Sequence, residues 1–290
     1  MRAAYRKVVP ESARDSIFRV RRRGLVRSIR RPFVFASDPA VRDMSKRLES
    51  FRAKHAGERC FIVGNGPSLN QTNLDLLKNE YSWGSNKIYL IFPKVEWRPT
   101  FYVGVDTLVI PDIRHEIARL VTELPTTSFY FPVRFRESGA VSSSANVFWY
   151  NEVEPWEIAE PDKQFATNPA AWVASVRTVT IAAMQFAAFM GFGPIYLIGC
   201  DTSYSIPQTA VGTSRNGRDL VSTQDDDPNH FDRSYFGKNS KWHDPRVDMM
   251  VAHYEVAKSV CDSLNVEVYN ATIGGNLEVF PRVDYESLFK

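Results

Sequence analysis

The chain has 290 residues, 44% hydrophobic, 24% charged and 13% aromatic, with 15 glycines and 17 prolines. That length buries a core as one large domain or two small ones, and the composition excludes a disordered, collagen-like or repeat-built chain. The three scattered cysteines, Cys60, Cys200 and Cys261, lack metal-ligand spacing and argue against a disulfide framework or zinc site, so a reducing cytoplasm is the expected compartment.

Charge is unevenly spread. Residues 1–31 carry eleven Arg or Lys against two acids, a net +9, while the rest of the chain carries 25 basic against 31 acidic groups, a net −6. Residues 1–55 are expected to form a basic, weakly helical arm with Ile17, Phe18, Val20, Leu25, Val26 and Ile29 among the arginines. Such an arm either lies on an anionic membrane surface or packs on its own body or a partner subunit. No apolar run follows the N-terminal charges as a secretory signal requires.

At Arg59 the character changes to Cys60-Phe-Ile-Val-Gly64, a continuous apolar run expected to be a buried parallel strand. Further strands are expected at Ile88–Phe92, Phe101–Val105, Ser128–Phe131, Val147–Tyr150, Ile195–Gly199 and Val266–Tyr269, with helices at Trp172–Met190 and Asp244–Leu264. Thr178 to Cys200 is uncharged and long enough to span a bilayer, but Gln185 and the breaker Gly191-Phe-Gly-Pro194 make it a buried helix followed by a buried strand. In the last helix, Asp244 is the expected N-cap and Pro245 the first helical residue. Thr202 to Lys241 is polar and without period, the pattern of a functional lid or a disordered loop. Alternating strands and helices over residues 56–290 predict an α/β domain with an open, mainly parallel, Rossmann-like sheet flanked by helices.

The sharpest local feature is Gly64-Asn65-Gly66-Pro67-Ser68-Leu69 directly after the first strand. A strand leading through a glycine turn into a helix sets backbone N–H groups at the carboxyl edge of the sheet, where phosphates bind. The turn is neither a full GxGxxG nor a Walker A, so P-loop kinase chemistry is not supported. Two other strands end in acids, Asp106 and Asp201, which either face the same cleft as Asn65 or cap the turns that follow. His243 is expected at a helix N-terminus, where the helix dipole disfavours the imidazolium and leaves a neutral ring suited to general base work. The acidic run Asp225 to Asp227, with Asn229 and His230, either binds a divalent cation or is simply solvated; no metal-specific spacing is present.

Taken in order, GNGPSL, SNKIYLIF, GFGPIYLIGCD, WHDPRVD and YNAT resemble the DUF115 (MptE-like) family, which shares its fold with bacterial family 42 sialyltransferases and the Maf flagellin glycosyltransferases. The resemblance covers roughly Gly57 to Phe289 and implies a sialyltransferase-like GT-A variant of the α/β fold. It implies nucleotide contacts from Gly64, Asn65, Gly66, Pro67, Ser68, Asn86, Asp106, Thr178, Thr180, Gly199 and Asp201. It further implies catalytic roles for Asp201, for Tyr235 as support for the leaving phosphate, and for His243 as base. The chain departs from the sialyltransferase pattern in having Asp106 where an Asn stands and Val179-Thr180 in place of Ser-Gly. Its spacing from Tyr235 to His243 is longer, and aligning on Tyr235 alone sets Lys238 at the base position.

The implied function is glycosyl transfer in surface-polysaccharide or glycolipid assembly, from a nucleotide-sugar donor, with a CMP-linked nonulosonate as one candidate, to a glycan or lipid-linked acceptor. The expected location is cytoplasmic and peripheral to the inner membrane, and an oligomer is compatible with the sequence. One alternative is an MptE-like pterin diphosphokinase using ATP and Mg²⁺ carried by Asp106 and Asp201; another is a non-catalytic nucleotide-binding module. Nucleic acid is not an expected partner, because the body is acidic and carries no recognition module.

Overall fold

A computed structural model describes residues 39–158, 164–213 and 219–290. Of the basic arm expected over residues 1–55, residues 1–38 lie outside them. The strands are β1 (Cys60–Val63), β2 (Tyr81–Ser85), β3 (Phe101–Val103), β4 (Ser128–Pro132), β5 (Val147–Tyr150), β6 (Glu152–Val153), β7 (Val173–Ala174), β8 (Ile195–Ile198), β9 (Val211–Gly212), β10 (Asp219–Val221), β11 (Lys241–His243) and β12 (Val268–Asn270). The longer helices are α1 (Pro39–Glu49), α2 (Arg114–Glu123), α3 (Val179–Phe189) and α4 (Val247–Ser263).

Seven strands form one parallel sheet in the order β12-β8-β1-β2-β3-β4-β5. β1 can be apolar throughout because both of its faces are covered. Cys60, Ile62, Ile195 and Leu197 join the core under α3 and α4, and the alternating Phe61, Val63, Tyr196 and Ile198 join the core that contains Ile117 and Leu120 of α2. The chain runs outward from β1 to β5, then returns to lay β8 on the other side of β1. This reversal creates a topological switch point between the carboxyl ends of β1 and β8, where open α/β sheets leave a crevice.

α3 is buried on nearly every side, and its one strongly polar residue is fully satisfied. Gln185 Oε1 accepts from the backbone N–H of Ala166 and Ala174, both at 2.8 Å, and Nε2 donates to the Ala174 carbonyl at 3.1 Å. Gln185→Leu would strand two backbone donors, so it is expected to cost about 3 kcal/mol in chemical denaturation; a loss under about 1 kcal/mol would show that the amide does not hold β7 in place.

Five expectations need correction. Ile88–Phe92 is not a strand: Asn86 adopts a left-handed φ of 50°, and Ile88 to Lys94 forms a 3-10 helix in which Ile88 and Ile91, three apart, are buried. The strand lies upstream in Tyr81–Ser85, whose serines and glycine hid it. The helix expected from Trp172 begins only at Val179, with Thr178 as N-cap, because Val173–Ala174 pairs with β6. Asp244 is not the N-cap of α4: its carboxylate accepts from Arg246 N at 3.0 Å, and Arg246, at φ 49°, precedes the first helical residue. His243 consequently belongs to β11 and not to a helix N-terminus.

The fourth correction concerns the segment after Asp201, which is a built lobe. β9, β10 and β11 form an antiparallel sheet, and Leu220, Phe231, Tyr235 and Trp242 are buried. The acidic run stitches it together. Asp225 accepts from Lys238 N at 2.7 Å, Asp226 from the Thr209 hydroxyl at 2.6 Å, and Asp227 from Asn229 N at 2.8 Å. The body also begins before residue 56. Ser45 donates to the Ala170 carbonyl at 2.7 Å, and His55 stacks on Phe192 with ring centroids 4.5 Å apart.

Candidate active site

A cleft of about 720 Å³ opens at the switch point, within the range of small-molecule sites. Its wall includes Gly64, Asn65 and Gly66 from the turn after β1, Gly199 and Asp201 from the turn after β8, and Asn86 after β2. Asp106, Thr178, Thr180, Tyr235 and His243 also line it. Residues scattered over the sequence are thereby brought to one place; Pro67 and Ser68 stand behind the wall.

Three N–H groups of the GNGPS turn expected to be free are taken up within the protein. Gly64 N donates to the Ile198 carbonyl at 2.8 Å and Gly66 N to the Gly199 carbonyl at 2.9 Å. Ser68 donates twice to Asp201, from N at 3.1 Å and from Oγ at 2.7 Å. The turns after β1 and β8 lie so close that they satisfy each other. A Cβ on Gly66 would stand 1.8 Å from Asp201 Oδ2, and one on Gly64 2.3 Å from the Gly199 carbonyl oxygen. Asp201 is therefore a clasp across the switch point, and burial raises its pKa above the usual carboxylate range despite the two serine bonds. Asp106 likewise caps a turn, accepting from Leu108 N at 2.7 Å and Val109 N at 2.9 Å while lining the cleft.

Acceptor and donor groups toward a ligand come from elsewhere. Asn65 donates to Ser85 Oγ at 3.1 Å, which fixes the amide, but its buried Oδ1 has no partner, and neither has Oδ1 of Asn86. Unpartnered acceptors in residues of a cleft wall are candidates for the donors that a ligand brings, such as ribose hydroxyls or a base amine. The first turn of α3 contributes the other sign. Thr178 Oγ1 accepts from Thr180 N at 3.3 Å, and the positive end of the helix meets the wall there.

Two imidazole–carboxylate pairs bring their imidazoles to the cleft wall. His243 Nδ1 lies 2.8 Å from Asp219 Oδ1 across the β10–β11 ladder, and its Nε2 lies 3.5 Å from the Thr107 hydroxyl. Both side chains of this pair are about half exposed. His230 Nδ1 lies 2.7 Å from Asp227 Oδ2, and here both side chains are buried. Its ring stacks on Tyr235 with centroids 3.8 Å apart and planes within 1°. Burial drives the Tyr235 hydroxyl well above its ordinary pKa, so it remains a neutral phenol. Lys238 is exposed and does not line the cleft. His253 also lines the cleft, with Nε2 3.1 Å from Gln164 Oε1; burial lowers its pKa and keeps it neutral.

The Mg²⁺ that diphosphoryl transfer would need would have Asp106 and Asp201 as its carboxylates. The carboxylates of Asp106 and Asp201 are tied to backbone donors, and among the described residues no group of three or more His, Cys, Asp or Glu is arranged to hold a metal. Sequence analysis singled out neither Asp219 nor the burial of Asp227. An acid opposite a histidine across a strand pair leaves no local sequence signal.

No protein-family model and no curated protein matches the chain. Two solved structures are similar. One is a Maf glycosyltransferase from Magnetospirillum magneticum, 15% identical with a TM-score of 0.47 over 85% of this chain and 39% of that one. The other is the sialyltransferase CstII from Campylobacter jejuni in complex with a substrate analogue, cytidine-5'-monophosphate, 11% identical with a TM-score of 0.42 over 79% of this chain and 85% of that one. This chain thus spans well under half the length of the Maf enzyme. Among the described residues no helix is long and apolar enough to cross a membrane.

Proposed function

We propose that the chain is a glycosyltransferase of the DUF115 kind, moving a sugar from a nucleotide donor to an acceptor hydroxyl. The observation that carries this reading is the His243–Asp219 pair on the wall of a cleft built at a nucleotide-type switch point. Asp219 accepts the Nδ1 proton of His243 and so leaves Nε2 as the basic nitrogen. Nε2 takes the proton of the acceptor hydroxyl as its oxygen attacks the anomeric carbon. The bond to the donor phosphate breaks with its electron pair on the phosphate oxygen, and direct displacement inverts the anomeric centre. The imidazolium formed is stabilised by Asp219, while the first turn of α3 and the Tyr235 phenol favour the developing phosphate charge.

The donor class is a nucleotide sugar, with a CMP-linked nonulosonate the first to try. A lipid-linked acceptor would suit the +9 arm, whose attraction to anionic lipid would weaken with salt. A thermal-shift screen of nucleotides with and without Mg²⁺ tests the reading, since a ligand specific for the folded state raises its stability. Metal-free stabilisation by CMP, CDP or UDP is expected; stabilisation only by ATP with Mg²⁺ would overturn it.

Asn65→Ala removes an unpartnered acceptor in a cleft-wall residue and leaves the clasp intact. It is expected to weaken nucleotide binding about tenfold, the equivalent of one hydrogen bond, with little change in melting temperature. Calorimetry that finds unchanged affinity would take the amide out of the site.

A further inference from the structure

The second imidazole–carboxylate pair has no part in the base chemistry, yet it is the more rigidly built of the two. Asp227 is 4% exposed and accepts from Asn229 N at 2.8 Å and Phe236 N at 3.1 Å as well as facing His230 Nδ1. Three partners on one buried carboxylate hold it at a fixed point. The stacked Tyr235 ring fixes the plane of the imidazole, and Phe236 meets it edge-on at 4.9 Å. The loop that carries His230 is moored to the turn after β1. Phe231 N donates to the Asn65 carbonyl at 3.0 Å, and Asn70 Nδ2 donates to the Phe231 carbonyl at 2.8 Å. His230 thus stands over the GNGPS turn at the switch point, whereas His243 stands beside Thr107, past the end of β3. No described protein group hydrogen-bonds the His230 Nε2, although the residue lines the cleft.

We propose that His230 is the phosphate ligand of the site, its Nε2–H donating to the phosphate oxygen that departs with the nucleotide. This rests on the glycosyltransferase reading and completes its charge balance. The acceptor proton goes to His243, the electron pair of the breaking bond goes to the phosphate oxygen, and that oxygen is met by an N–H whose ring is backed by Asp227. With Nδ1–H toward Asp227 and Nε2–H toward the phosphate, each ring nitrogen donates to an anionic oxygen. In the GNGPS turn the N–H groups of Gly64, Gly66 and Ser68 are taken up within the protein and are not free for this role.

The test compares CMP and UDP with cytidine and uridine by calorimetry, in wild type and in His230→Phe, which keeps a ring against Tyr235 and removes Nε2. A phosphate ligand is expected to show as a loss of about tenfold or more in the preference for nucleotide over nucleoside, with nucleoside affinity held within about threefold. His230→Ala, which adds no bulk, gives the same comparison if His230→Phe fails to fold. An unchanged preference overturns the proposal and leaves the glycosyltransferase reading standing. A wild-type protein that binds neither nucleotide overturns both.

Discussion

His243→Ala is expected to slow single-turnover glycosyl transfer by about a hundredfold or more, the usual contribution of a positioned general base, while nucleotide affinity stays near wild type. The expectation follows from where the residue acts. Nε2 meets the acceptor hydroxyl as its proton is lost, so the effect falls on the chemical step and not on donor binding. Asp219→Asn keeps the size of the orienting group and removes the charge that stabilises the imidazolium; it should cost about tenfold or more in the same assay. Both side chains are about half exposed, so neither change should move the melting temperature by much. A structural histidine would behave in the opposite way, losing stability with little specific loss of turnover. Lys238→Ala is the control, since that side chain is exposed and off the cleft wall. Normal single-turnover transfer by His243→Ala would end the base assignment, and the nucleotide titration on the same preparation reads the donor site independently.

What the sequence made legible is what depends on local pattern. Cys60 to Val63 and Ile195 to Ile198 read as buried parallel strands because an apolar run of four between glycines and charges has few other places in a folded chain. Once two such strands are adjacent, the turns that follow them share a crevice, which is why Asn65 and Asp201 meet, and Asp106, past the end of β3, lines the same cleft. What local pattern could not give is the partner of each group. Asp106 and Asp201 line the cleft and also cap turns, so the two readings of those acids were never exclusive. Ile88 to Phe92 has strand composition, and only the left-handed Asn86 ahead of it turns the run into a 3-10 helix. Asp225 to Asp227 looked solvated because three like charges in a polar loop usually are. Their partners, the Lys238 backbone, the Thr209 hydroxyl and His230, are fixed by the fold of the lobe. The His243–Asp219 pair is the clearest instance: the two residues are 24 apart in sequence and meet only because β10 and β11 pair in that register.

The largest structural effect is expected from Gly66→Ala. The new methyl would sit 1.8 Å from Asp201 Oδ2 and 2.8 Å from the Gly199 carbonyl oxygen, and neither neighbour has room to yield. Gly199 is the backbone acceptor of Gly66 N, so moving it breaks the bond that joins the two turns. Asp201 is held by Ser68 N and Ser68 Oγ, so moving its carboxylate strands two buried donors beside a buried acid. Overpacking together with the lost bonds is expected to cost roughly 3 kcal/mol or more, read as a clear drop in the denaturation midpoint at unchanged slope. Asp201→Ala makes the complementary change by removing the carboxylate and leaving space. In the Asp201→Ala background, Gly66→Ala should therefore cost distinctly less than in wild type, because one of its two clashes is gone and the two sites are in direct contact. Full additivity of the two substitutions would mean that the clash with Asp201 is not what makes glycine necessary at position 66, and the clasp between the turns after β1 and β8 would lose its physical basis.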